Sequence, residues 1–282
     1  MSANSRPDTA APDAALPRSL TLVGAGKMGG AMLAGWLAGG LDPRRTTIID
    51  PQAPPEIRVL CAARGLGLNP AEPPVSEALV LAMKPQGLEG AAAGLAPLIG
   101  PDTLVVSILA GKTLTNLRDR LPGARAIVRA MPNLPASIGR GATGAVASTA
   151  VSAQQRAQAQ ALLASVGLVE WLDDEALIDA LTAVSGSGPA YVFLLAEVMA
   201  QAGVAAGLPA DMAARLARST VSGAGALLES NPREAGALRQ DVTSPGGTTA
   251  EALAVLMRPG GLPDLMREAV DAARRRAGAL AG

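Results

Sequence analysis

Leu20-Thr21-Leu22-Val23-Gly24-Ala25-Gly26-Lys27-Met28-Gly29 is the stretch whose reading decides the fold. Four apolar or β-branched residues run straight into a Gly-x-Gly-x-x-Gly, and an alanine- and leucine-rich helical stretch follows from Met28 to Ala38. In a chain with 32 glycines the pattern alone means little. Its place between a strand and a helix gives it weight. Gly24 permits the tight turn, Gly26 lets the main chain approach a pyrophosphate, and Gly29 lets the helix lie close to the sheet. Lys27 and Met28 belong to the same loop, where the first-turn amides of the helix point at phosphate oxygens. The stretch therefore predicts a dinucleotide site.

Working outward, short apolar runs at 46–49, 78–83, 103–109 and 126–129 alternate with helix-length stretches at 28–38, 56–64, 87–95 and 114–121. A last pair, a helix over 153–166 and a strand over 168–172, closes the series. This alternation predicts an α/β fold with a Rossmann-type parallel sheet. After Asp173-Asp174 the β-branched runs vanish, and helices are predicted over 190–206, 210–228, 249–257 and 262–280. Three parts result: a disordered tail over 1–17 with no hydrophobic period, a dinucleotide-binding domain over 18–173, and an all-helical domain over 174–282. Helices so rich in alanine need a partner surface, which predicts a homodimer made through the second half.

Composition narrows the chemistry. The 282 residues include no histidine, which removes Ser-His-Asp triads, Cys-His pairs and the common zinc arrangements. No metal site is expected. Twenty-four basic residues balance twenty-four acidic ones, and without a dense cationic block a nucleic-acid partner is not expected. Arg274, Arg275 and Arg276 read instead as cations complementing the dipole of a terminal helix. The single cysteine, Cys61, and an N-terminus without an apolar leader fit a reducing cytoplasm. The least charged stretch, 180–209, is interrupted by Ser185-Gly186-Ser187-Gly188-Pro189, so it reads as a buried globular helix and not a membrane span.

Further site residues follow from position. Asp50 ends the second strand, where an acid accepts hydrogen bonds from the adenosine ribose and repels a 2′-phosphate. That favours NADH. Asp50-Pro51 is also ordinary turn chemistry, and Arg44, Arg45 or Arg58 could serve a 2′-phosphate, so NADPH or NADH both stay open. Met83, Lys84 and Pro85 follow the strand over 78–83 at the carboxyl edge, with Lys84 either a cofactor-side cation or a solvated loop lysine. Ala110 and Gly111 end the next strand in small residues that could admit the nicotinamide edge. Asn133, in Arg129-Ala130-Met131-Pro132-Asn133-Leu134-Pro135, could hydrogen-bond cofactor or substrate, and Ser187 could cap the helix that Pro189 opens. Thr243-Ser244-Pro245-Gly246-Gly247-Thr248-Thr249 leads into a helix whose start could bind a carboxylate through backbone N–H groups, aided by the two threonine hydroxyls. The spacing of Thr248 and Glu251 also suits a capping box, but a cap has no need of Ser-Pro-Gly-Gly before it.

Taken together, Gly24 to Gly29, Met83-Lys84-Pro85, Val105 to Gly111, Arg129 to Asn133, Ser185 to Tyr191 and Ser244 to Thr249 resemble the pyrroline-5-carboxylate reductases, from about Leu20 to Leu280. The resemblance implies reduction of 1-pyrroline-5-carboxylate to L-proline by NAD(P)H, the last step of proline biosynthesis. It implies a homodimer that can assemble further to a decamer. It also implies that Ser244, Gly246, Gly247 and Thr248 hold the substrate carboxylate, that Thr249 hydrogen-bonds near the ring nitrogen, and that Ser187, Gly188 and Pro189 lie beside cofactor and ring. Thr249 and Ser187 are then the candidate catalytic residues. Glu234-Ala235 stands where the family commonly has His-Pro, and Leu134 where it often has Thr. A hydroxyacid dehydrogenase of similar layout would need a catalytic lysine in the second domain, and no lysine follows Lys112. A protein that binds NAD(P)H without turnover would leave the Ser-Pro-Gly-Gly helix start unexplained.

Overall fold

A computed structural model describes residues 16–281. Contacts group the chain into two compact units, one running to Gly186 and taking in the chain again from Ala277, the other spanning Ser187–Arg276. The tail read over 1–17 lies outside the described residues except at its end. There Pro17 is buried and Leu16 packs against the core, so the ordered chain begins before Arg18.

The first unit is built on eight strands: β1 (Leu20–Val23), β2 (Thr46–Ile49), β3 (Gly67–Leu68), β4 (Ala78–Leu81), β5 (Leu104–Ser107), β6 (Ala126–Met131), β7 (Gly141–Ala147) and β8 (Gly167–Trp171). They lie in the order β3-β2-β1-β4-β5-β6-β7-β8. Helices α1 (Lys27–Ala38), α2 (Pro55–Arg64), α3 (Leu88–Leu95), α4 (Leu114–Arg120), α5 (Ala153–Ala164) and α6 (Leu177–Leu181) connect or flank them. Central strands are buried on both faces, as a sheet covered by crossover helices requires. Successive residues feed opposite cores: Ala78 and Val80 of β4 join Met32, Leu33, Trp36 and Leu162 on one side. Leu79 and Leu81 join Leu88, Leu95 and Leu117 on the other. Trp36 is fully buried and donates its indole N–H to the Leu162 carbonyl at 2.7 Å, which ties α1 to α5. Cys61 is buried on α2, and desolvation pushes its thiol up, away from reactivity.

One departure from the sequence reading, in the sheet, has a physical cause. The sheet is not wholly parallel, because β7 runs antiparallel to β6. The connection from Pro132 to Arg140 is shorter than the roughly dozen residues a parallel crossover needs, and Gly139, at φ 72°, turns it back. The first unit also extends beyond Asp173, to Gly186. Buried Arg129 on β6 pairs with Glu175 at 2.7 Å, the same carboxylate oxygen accepts the Leu114 amide at 2.8 Å, and Ile178 enters the core. These contacts fasten residues 174–186 to the sheet.

The second unit is helical: α7 (Gly188–Ala205), α8 (Ala210–Ser230), α9 (Ala235–Asp241), α10 (Thr248–Leu256) and most of α11 (Leu262–Ala281). α7 and α8 form a hairpin across Gly207, with Gly203 close against Ala213. No residue of α7 is buried within one chain, and Val192, Phe193, Leu194, Leu195 and Val198 are exposed. The sequence reading of a buried helix is therefore corrected for the single chain. The run Leu177–Ala205 is long and apolar enough to cross a membrane, by length and composition alone. Arg274 and Arg275 lie before the last turn of α11 and pair with Asp271 instead of capping the helix end.

Removing the Glu175 carboxylate leaves buried Arg129 and the Leu114 amide without that partner. Glu175→Ala is expected to lower unfolding free energy by roughly 2–4 kcal/mol in urea denaturation. A change within 0.5 kcal/mol would show that the pair contributes nothing to holding 174–186.

Candidate functional site

The strand order turns back on itself at β1, which has β2 on one side and β4 on the other. Crevices at the carboxyl ends of strands beside such a reversal are where α/β sheets bind ligands. The loops there are stitched together by continued ladder bonds. Gly24 N–H donates to the Ile49 carbonyl at 2.9 Å, Ala82 N–H to Val23 at 2.8 Å, and Ile108 N–H to Leu81 at 3.0 Å.

Each glycine of the fingerprint has a distinct spatial reason. Gly24 takes φ 88°, and a Cβ there would stand 2.7 Å from the Met83 nitrogen and 2.8 Å from the Ala82 carbonyl carbon. A Cβ on Gly29 would collide with the Gly24 carbonyl oxygen. Gly26 instead faces open space, with nothing within 4 Å of its would-be Cβ. It is also the N-cap of α1, with no side-chain cap bond and no acid in the first turn. The α1 start is thus a bare row of amides beside an open cradle, which fits a pyrophosphate. Lys27 is exposed on this turn and Met28 half-buried. Met83 turns its methyl toward Gly87, while Lys84 is exposed and Pro85 opens a short helical turn.

Asp50 ends β2 and is bound into the same loop. One carboxylate oxygen accepts the Ala25 amide at 2.8 Å, and the other accepts Gln52 N–H at 2.9 Å. Arg44 and Arg45 precede β2, at the opposite edge of the sheet from Asp50. That takes both away from any 2′-phosphate at the carboxyl edge. Ala110 is exposed, and Gly111, at φ 71°, is where the last turn of α11 abuts: a Cβ would stand 2.9 Å from the Leu280 carbonyl oxygen.

Asn133 is committed to the protein. Its side-chain nitrogen donates to the Ser185 carbonyl at 3.1 Å and to Ser185 Oγ at 3.2 Å, and its oxygen accepts Ala142 N–H at 2.9 Å. Ser185 Oγ donates in turn to the Ala142 carbonyl at 3.0 Å. Asn133 therefore shapes the turn that leads to Ser187. Ser185, Arg129 and Glu175 were not singled out from sequence for this work, since nothing local marks such long-range partners.

In the helical unit, Ser187 stands at the N-cap position of α7 but makes no side-chain cap bond, and Pro189 occupies the first turn. The capping box weighed for Thr248 and Glu251 does not form. Gly247 is the N-cap of α10, Thr248 is the first helical residue, and no side chain caps the end. Gly246 takes φ 67°, and a Cβ on Gly247 would press on Ser244 Oγ. The Gly247 amide donates to the Ser244 carbonyl at 3.0 Å, closing the turn. Ser244, Gly246 and Thr248 are exposed and Thr249 is half-buried. A bidentate Arg233–Asp241 pair braces α9 just before this loop, and it holds the Asp241 carboxyl below the usual carboxylate range.

Residues 175–280 match the family model for pyrroline-5-carboxylate reductase dimerisation. Residues 19–111 match a second model, NADP oxidoreductase coenzyme F420-dependent. A pyrroline-5-carboxylate reductase of Pseudomonas aeruginosa is 40% identical over 264 residues, 93% of this chain and 96% of its own. The chain belongs to the pyrroline-5-carboxylate reductase family. Among solved structures, the reductase of Coxiella burnetii superposes with TM-score 0.86 at 33% identity, covering 94% of this chain and 99% of that one. A Plasmodium falciparum pyrroline carboxylate reductase with NADP bound shares the fold, at TM-score 0.77 and 24% identity, over 95% of this chain and 100% of its own.

Gly24→Ala would force a side chain into the φ 88° turn and against the Ala82–Met83 backbone. It is expected to weaken coenzyme binding at least about tenfold, with strain of roughly 1–3 kcal/mol at the site. Fluorescence titration with reduced nicotinamide coenzyme checks this; unchanged affinity would mean that the loop tolerates a Cβ after all.

Proposed function

We propose that the chain reduces 1-pyrroline-5-carboxylate to L-proline with NAD(P)H, the final step of proline biosynthesis. The observation that supports this best is a second uncapped helix start, at Gly247 of α10, in a family whose members act on a cyclic imino acid with a carboxylate. When bound, the reduced nicotinamide supplies a hydride for the carbon of the C=N bond, whose nitrogen gains a proton. Oxidised coenzyme and the saturated ring are the products.

The chain's own part is holding and orienting. Gly24, Gly26, Lys27, Met28 and Gly29 receive the pyrophosphate, and Asp50 receives the adenosine ribose. Met83, Lys84, Pro85, Ala110, Gly111 and Asn133 form the rest of the coenzyme wall, with Asn133 contributing through the turn it holds. Ser244, Gly246, Gly247 and Thr248 take the substrate carboxylate, for which the amides of the α10 start and the hydroxyls are hydrogen-bond donors. Thr249 keeps a hydroxyl, or a water it holds, at the ring nitrogen, and Ser187 lies beside the ring. A chain without histidine needs no side-chain acid here, because an imine can bind already protonated or take its proton from that water.

The copies associate through the helical unit, where α7 leaves Phe193 60% exposed among other apolar side chains. Covering this face by a second copy also accounts for the apolar run without a membrane. Assembly of dimers into a decamer and a cytoplasmic location belong to the same reading, as both reactants are soluble, charged metabolites. Light scattering on a size-exclusion column tests the assembly.

Purified protein is expected to oxidise NADH or NADPH, followed at the nicotinamide absorbance band, only when 1-pyrroline-5-carboxylate is added. No oxidation with either coenzyme would refute the activity. Thr249→Val is expected to lower kcat/KM for the imine about 10- to 100-fold while coenzyme affinity stays as it was. Full activity in that variant would remove Thr249 from the reaction.

A further inference from the structure

Asn69 is the one described residue other than glycine with a left-handed backbone, at φ 47°. It directly follows β3, and its own amide still belongs to the ladder, donating to the Ile48 carbonyl at 2.8 Å. There the chain turns away, and the side-chain amide takes over. Its oxygen accepts Asp50 N–H at 2.8 Å, and its nitrogen donates to the Asp50 carbonyl at 2.9 Å. Both polar groups of the Asp50 main chain are thus held by one side chain from the neighbouring strand. The opposite amide orientation would set donor against donor and acceptor against acceptor.

We infer that Asn69 is a positioning residue that fixes Asp50 toward the adenosine ribose, so that the enzyme selects NADH over its 2′-phosphorylated counterpart. The inference rests on the coenzyme reading above and sharpens it. With its main chain clamped by Asn69, Asp50 offers a carboxylate whose two oxygens each already take one backbone amide, from Ala25 and Gln52. Each oxygen retains a lone pair for a ribose hydroxyl, and a phosphate brought to the same place meets a fixed carboxylate. The cations that could relieve this are few. Arg44 and Arg45 lie before β2, a strand length of roughly 13 Å from Asp50 at about 3.3 Å per residue. Arg45 lines the pocket with Arg18 and Arg125 at the far edge. Arg58, unlike Arg44 and Arg45, follows β2; it is tethered through Nε to the Ala53 carbonyl at 2.9 Å and keeps its terminal N–H donors. Lys27 lies on the pyrophosphate turn.

Nothing in the φ 47° geometry obstructs glycine, so Asn69→Gly deletes both side-chain bonds without new strain. The purified full-length chain is titrated with NADH and with NADPH by nicotinamide fluorescence, without imine, and thermal midpoints are recorded. The native chain is expected to bind NADH at least about tenfold more tightly. Asn69→Gly should weaken NADH about fivefold and NADPH less than about twofold, narrowing the ratio. Asp50→Asn, which keeps shape and loses charge, should bring the two affinities to within about threefold. Tighter binding of NADPH by the native chain would overturn the inference, as would an Asn69→Gly effect equal for both coenzymes or absent. Because these titrations need no turnover, they decide coenzyme selection even if the imine proves not to be a substrate.

Discussion

The structure depends on one close approach of backbone to backbone, at Gly24. Its amide continues the β1–β2 ladder to Ile49, its α-carbon lies against the Ala82–Met83 peptide, and Gly29 backs onto its carbonyl. Three elements therefore meet without an intervening side chain. That contact sets the start of α1 over the edge between β1 and β4, where its amides stay bare. Any Cβ there would spread the loops and tilt the helix, and the coenzyme cradle would go with them.

The chemistry of the chain follows from what it lacks. The chain has no histidine, and two of its helix starts, at Gly26 and Gly247, are bordered by glycines and carry no side-chain cap, which leaves their main-chain amides open to an anion. Such amides are rigidly placed by the helices that hold them. Two neighbouring residues are fixed by hydrogen bonds within the protein: Asp50, clamped on both main-chain groups, and Asn133, which holds Ser185 ahead of α7.

The helical unit answers a different constraint. Its helices are packed through alanine and glycine, as at Gly203 against Ala213, which lets α7 and α8 approach closely but covers little apolar area per chain. The residues left outside, Phe193 and Leu194 among them, form a face that a dimerisation family would bury. The low aromatic content of the chain fits this economy, since large side chains would hold the helices apart.

Local sequence was enough for the elements whose cause is local. The β1–Gly24–α1 unit, the strands over 46–49 and 78–81, and the glycine turn before α10 are written in strand propensity, periodicity and glycine placement, each acting over a few residues. Tertiary structure alone decided the rest. β7, a run of glycine, alanine and one valine after Thr143, has no strand pattern of its own and becomes one because the short Pro132–Arg140 connection brings it beside β6. The compact unit built on the sheet runs on to Gly186 because Glu175 finds Arg129, 46 residues away. Asn69 reads as a turn residue in isolation; only the pairing of β3 with β2 brings its amide to Asp50. Periodicity and propensity report what a segment does by itself. A hydrogen bond between distant residues exists only once the sheet has set their register, and no local pattern encodes it.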